Sequence, residues 1–67
     1  MVNTTELKYV MARSGLKTEH ICRVLGISGS SYRNKLYNRT EFTYSEVMKL
    51  CRMLNITDDE RTKIFCA

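Results

Sequence analysis

The sequence predicts an all-α protein: a compact five-helix bundle forming one domain over residues 1–67. Three observations carry that prediction. Apolar residues recur at helical intervals in the first four segments, and no stretch alternates apolar with polar residues long enough to build a sheet. Two T-x-x-E capping boxes, Thr43–Glu46 and Thr57–Glu60, each stand at the head of a segment with helical character. There is no proline, and the three glycines, Gly15, Gly26 and Gly29, fall where a helix ends or begins.

Taken in order, the first helix runs from about Thr5 to Arg13, with Leu7, Val10 and Met11 forming its apolar stripe and Gly15 closing it. The second runs from Thr18 to Leu25, with Ile21, Cys22 and Leu25 on one face. Lys17 stands at its N-cap, where Ser or Thr would serve better, and Gly26 ends it. The third begins after Ser28, a good N-cap, and runs to about Tyr37. Tyr32 and Leu36, four residues apart, point to the core, which leaves Ser30, Arg33, Asn34 and Tyr37 on the outer side. Residues 38–42 form a loop anchored by Phe42. The fourth helix follows the first capping box with Val47, Leu50, Cys51 and Leu54 on one stripe. The fifth follows the second box and ends at Ile64 or Phe65.

Size and composition narrow the function classes. A domain of 67 residues buries only about 60% of its unfolded surface and leaves little room for a sizeable pocket. No nucleophile–base pair and no glycine-rich phosphate loop is visible, so catalysis is not expected. No apolar run approaches the ~20 residues of a membrane span, and the N-terminus lacks the pattern of a signal peptide. The three cysteines, Cys22, Cys51 and Cys66, are odd in number and scattered; with a single histidine, His20, they form neither a disulfide framework nor a metal-ligand cluster. No cofactor, metal or small-molecule substrate is implied, and the scattered cysteines point to a reducing, cytoplasmic setting.

Net charge is +4, and it is polarised: residues 1–42 carry seven Lys/Arg against three acids, while residues 43–67 carry four against four. The excess sits in the half that contains the glycine-turned helix pair. Such a pair, with a polar and cationic outer face on its second helix, suits insertion into the major groove of DNA. Arg33 on that face reads either as a solvated helix residue or as a base reader, since a guanidinium can bond bidentately to guanine O6 and N7. Asn34 pairs similarly with adenine. Tyr32 reads as core rather than as a stacking surface. For Tyr37, phosphate contact through its hydroxyl and plain exposure both stay open. His20 and the acids Asp58, Asp59 and Glu60 read as solvent-exposed groups, the acids favoured by the dipole of the fifth helix.

The run L-x-T-x-x-I-C-x-x-L-G-I-S from Leu16 to Ser28, followed by SSYRNKLYNRTEFT, resembles the Cro/repressor type of helix-turn-helix domain of phage and bacterial regulators. The N-K-L-x-N-x-T-E-F-T signature is similar to that of small phage Cro-like regulators. The resemblance implies a phage repressor-like DNA-binding fold and a transcriptional regulator, Cro-like and of phage or prophage type. It places Ser30, Ser31, Arg33 and Asn34 at base edges. It places Lys17, Thr18, Lys35, Asn38, Arg39 and Thr40 at phosphates, with Ser28 and Tyr37 as further phosphate candidates read from their positions. Gly29 departs from the family pattern, which often has a long polar side chain there. The partners implied are double-stranded operator DNA and a second copy of the chain, within a bacterial host cell; the Ile64-Phe65-Cys66 segment, with Phe65 exposed, and the fourth helix are the expected contact surface. The alternative is a protein-binding modulator, an antirepressor acting on a phage repressor.

Overall fold

The computed structural model describes residues 1–66. Five helices follow one another: α1 (Thr4–Ser14), α2 (Thr18–Leu25), α3 (Gly29–Leu36), α4 (Tyr44–Met53) and α5 (Asp58–Phe65). The all-α bundle expected from the sequence is the one observed.

Local chemistry sets the helix boundaries. The Asn3 side chain accepts a hydrogen bond from the Glu6 amide at 3.2 Å, and Gly15 takes the left-handed conformation, so α1 extends one residue beyond the expected limits at each end. Ser28 Oγ accepts from the Ser31 amide and starts α3. Both capping boxes form: Thr43 with Glu46 and Thr57 with Glu60 each exchange two side-chain-to-backbone bonds. The start of α2 differs, because Lys17 supplies no side-chain cap. Gly26 ends α2 at φ 74°, a region a Cβ disfavours, and this tight turn aims α3. Helix α3 stops at Leu36, one residue short of expectation. Asn38 there adopts φ 64°, and the amides of Arg39 and Thr40 turn back to the Asn34 carbonyl.

The core lies where the five apolar faces meet. Leu7 and Val10 of α1, Ile21, Cys22 and Leu25 of α2, Tyr32 and Leu36 of α3, Leu50 and Leu54 at α4, and Ile64 of α5 are all buried. Full burial of each large aliphatic side chain contributes about 1.5–3 kcal/mol. Tyr32 is sunk as expected, and its hydroxyl donates to Met11 Sδ at 2.9 Å. Phe42 stands edge-on to both Tyr32 and Phe65. Val47 and Cys51 of the expected α4 stripe are only half-buried.

Polar ties fix the helices relative to one another. The Asn3 amide donates to the Ile64 carbonyl at 2.7 Å, Arg13 grips Glu60 with two hydrogen bonds, and Lys63 pairs with Glu6. These join α1 to α5. Thr4 Oγ1 donates to the Leu36 carbonyl at 2.7 Å and joins α1 to the end of α3. Lys35 and Glu46 join α3 to α4. With α1, α4 and α5 braced behind it, the α2–turn–α3 unit presents one open side to solvent.

Candidate nucleic-acid interface

That open side is a cleft between α2 and α3. Thr18, Glu19, Cys22, Arg23, Ile27, Gly29 and Arg33 line one part of it, about 470 Å³ in volume. A second hollow of about 160 Å³ adjoins it and shares Thr18, Gly29 and Arg33, with Met11, Leu36 and Tyr37 on its far side. Gly29 sits at the meeting point. Its backbone is helical, and a Cβ built there would meet nothing within 4 Å. The fold therefore has no need of glycine at this position. What the missing side chain provides is room against the first turn of α3.

The surface around the cleft is polar and carries several cations, with one exposed acid, Glu19, in the first turn of α2. Ser30 and Arg33 are exposed, and Ser31 and Asn34 are half-buried. Ser28 is exposed; its oxygen accepts from Ser31, which leaves the hydroxyl proton free to donate outward. Lys17 and Thr18 are exposed at the start of α2, where no side chain occupies the first-turn amides. Those amides and the helix dipole favour an anion. Arg39 and Thr40 are exposed in the loop after α3, with Arg39 Nη1 3.5 Å from Asn34 Oδ1. Burial pushes the Cys22 thiol up, so the cleft floor carries a neutral thiol rather than a thiolate.

Charge pairing divides the cations into two groups. In the basic half, Arg13 is held by Glu60 and Lys35 by Glu46. Among the described residues, Lys8, Lys17, Arg23, Arg33 and Arg39 form no ion pair. Three of these five, Arg23, Arg33 and Lys17, lie on the α2–α3 unit or immediately before it. A two-helix surface with an open cleft, unpaired guanidinium groups and an anion-favouring helix start fits a polyanion. A family model for the Cro/C1-type HTH DNA-binding domain matches residues 6–60. The chain belongs to that family. No curated relative and no solved structure matches it. As a Cro/C1-type domain it is a DNA-binding regulator, and its partner is double-stranded DNA. No helix among the described residues is long and apolar enough to cross a membrane.

Four expected contacts of this Cro/C1-type domain lie elsewhere in the fold. Lys35 was expected at a phosphate, but its side chain is only 12% exposed. Its amine lies 2.8 Å from Glu46 Oε1 and donates to the Glu41 carbonyl at 3.1 Å. Burial would raise the Glu46 carboxyl, but the hydrogen bonds from Lys35 and from the Thr43 amide outweigh it and hold the group below its ordinary range. Asn38 is exposed, yet its amide is spent on the N-terminal segment: Oδ1 accepts from the Val2 amide at 2.7 Å and Nδ2 donates to the Val2 carbonyl at 3.0 Å. Ile64, expected at a protein interface, is completely buried under α1. Phe65 is half-buried against Phe42 rather than exposed.

One residue at the edge of this surface has no signal in the sequence. Lys8 belongs to α1, yet its amine stands 4.8 Å from the centroid of the Tyr37 ring. Only the packing of α1 across the end of α3 brings the two together. No local pattern could have found that pair.

Proposed function

We propose that this Cro/C1-type domain is a sequence-specific transcriptional regulator of phage or prophage type, a Cro-like repressor acting in the bacterial cytoplasm. Helix α3 enters the major groove, and Ser30, Ser31, Arg33 and Asn34 meet base edges. Lys17, Thr18, Ser28, Arg39 and Thr40 hold phosphates on either side. The observation that carries this reading is the exposed, unpaired Arg33 at the lip of a cleft that Gly29 leaves open. An eight-residue helix spans about 12 Å. That length covers one half-site, so a second copy of the chain on a half-site ~34 Å away completes the operator.

The test is selection from a random duplex pool at fixed salt. A short, repeatable consensus is expected. Arg33→Ala should then relax preference at one base pair, a loss of about 1–3 kcal/mol there, without weakening binding to unrelated duplex. Absence of any enrichment overturns the reading. The antirepressor alternative rests on Gly29, which offers no base-reading side chain at the start of α3. It takes over if the chain binds a phage repressor tightly and Arg33→Ala leaves that binding intact.

A further inference from the structure

We infer that Lys8 of α1 is a phosphate-contacting residue and that Tyr37 is the positioning residue holding it beside the α2–α3 face. This rests on the DNA reading above and extends the contact surface to a helix outside the glycine-turned pair. Lys8 is exposed, and among the described residues no carboxylate neutralises it. The other cation of α1, Arg13, is consumed by Glu60, and the nearby acid Glu6 is turned to Lys63. Lys8 is therefore the α1 charge that remains available.

Its position is defined rather than free. The ammonium stands 4.8 Å from the Tyr37 ring centroid, inside the ~6 Å reach of a cation–π contact. Tyr37 is itself held, since its amide closes α3 on the Arg33 carbonyl at 3.1 Å. The Thr4 bond to the Leu36 carbonyl fixes α1 against the same end of α3. A lysine on a bare helix face spreads its charge over many rotamers. Here the ring biases it toward one place.

That place borders the interface. Tyr37 lines the same hollow as Thr18, Gly29 and Arg33. In the proposed docking, Tyr37 adjoins the surface where a base meets Arg33 and a phosphate meets the start of α2. The ring's negative face is turned to Lys8, and in this proposal the ammonium supplies the charge while the ring, rather than the hydroxyl, is what Tyr37 contributes. A compact ammonium on the flank of α3 carries no base-reading geometry, so its contribution is the same for every sequence.

The experiment measures affinity against salt on the selected operator duplex and on a scrambled duplex of equal length. Lys8→Met should lower the slope of log affinity against log salt by about 0.9 per protomer on both duplexes, and Lys8→Arg should restore it. Tyr37→Phe keeps the ring and should keep the wild-type slope and affinity. Tyr37→Leu should weaken binding, and the Lys8→Met/Tyr37→Leu double variant should bind no worse than Lys8→Met alone. Unchanged thermal melts of the two exposed-site variants keep folding out of the comparison. A wild-type slope in Lys8→Met, or a loss in Tyr37→Phe as large as in Tyr37→Leu, overturns the proposal while leaving the DNA reading intact. A wild-type chain that binds neither duplex overturns the DNA reading itself.

Discussion

Replacing Lys35 by Met should damage the fold and spare the DNA contact. Met keeps most of the aliphatic stem and removes the ammonium, which stands 2.8 Å from Glu46 Oε1 and 6.0 Å from the Phe42 ring centroid. Glu46 would retain the Thr43 amide at 2.8 Å but lose its counter-charge. Breaking a fully buried pair costs about 3–5 kcal/mol, and an exposed pair is worth about 0–1 kcal/mol. With both side chains 12% exposed, this pair lies nearer the buried limit, which suggests a loss of about 2–3 kcal/mol. In urea, at a dependence of about 1 kcal/mol per molar for so small a domain, the midpoint should fall by roughly 2 M. Circular dichroism at pH 7 reads this directly. Glu46→Gln in the Lys35→Met background should recover part of the loss, because the unpaired charge is gone. At low urea, where the variant is folded, its salt slope on duplex should equal that of wild type. A midpoint shift below about 0.5 M, or a slope reduced by about 0.9, would refute the assignment of Lys35 to the fold.

Acid should loosen the bundle through the carboxylates that anchor it. The Arg13 hydrogen bonds and then the Thr57 amide pull Glu60 down to about 2, below its unfolded value, so the stability linked to it is present above pH ~4.5 and is lost as pH falls toward 2. Glu60→Gln should flatten the fall in melting temperature across that window, and an unchanged profile would count against the link between α1 and α5. Gly29→Ala should raise stability by about 0.5 kcal/mol, since the backbone is already helical and the added methyl meets open space; a lowered melt would mean the position is strained after all. Asn38→Ala should cost about 1–2 kcal/mol, because it combines a left-handed φ of 64° with two lost bonds to Val2. Asn38→Gly relieves the first cost only, so a urea melt that ranks Gly below Ala would contradict this account.

The parts of the fold legible in the sequence are those set by neighbours three or four residues away. Thr43 and Thr57 announce their helices because the cap and its glutamate share one turn. Gly15 and Gly26 announce endings because a left-handed residue is a local demand. Tyr32 and Leu36 could be assigned inward from spacing alone. Lys35 could not. At about 100° per residue it lies some 60° from Tyr32 and 100° from Leu36, on the flank of the buried face, where a long side chain can turn either way. What decides its direction is Glu46, on another helix. From the sequence Ile64 reads as part of a docking segment at the end of the fifth helix, and only the Asn3-to-Ile64 bond and the packing of α1 reveal that it is enclosed. The Lys8–Tyr37 pair is non-local in the same way.

The places where local rules fail are as informative as those where they hold. Four helices open with a side-chain cap, from Asn3, Ser28, Thr43 and Thr57; α2 opens with Lys17 and none. Glycine is tolerated in the first turn of α3 although neither its φ nor its surroundings require it. Arg13, Lys35, Arg61 and Lys63 find carboxylates; among the described residues Lys8, Lys17, Arg23, Arg33, Arg39, Lys49 and Arg52 do not. Each departure costs stability or leaves charge uncompensated in a domain with little core to spare. Unpaired Lys49 and Arg52 lie apart on α4, but Thr18 at the uncapped start of α2, Gly29, Arg23 and Arg33 border one cleft, which the acid Glu19 also lines. A partner that brings negative charge to that face supplies what all of them lack: an acceptor for the free amides, a counter-ion for the guanidinium groups, and a body to occupy the space beside the glycine. Double-stranded DNA meets all three demands at once.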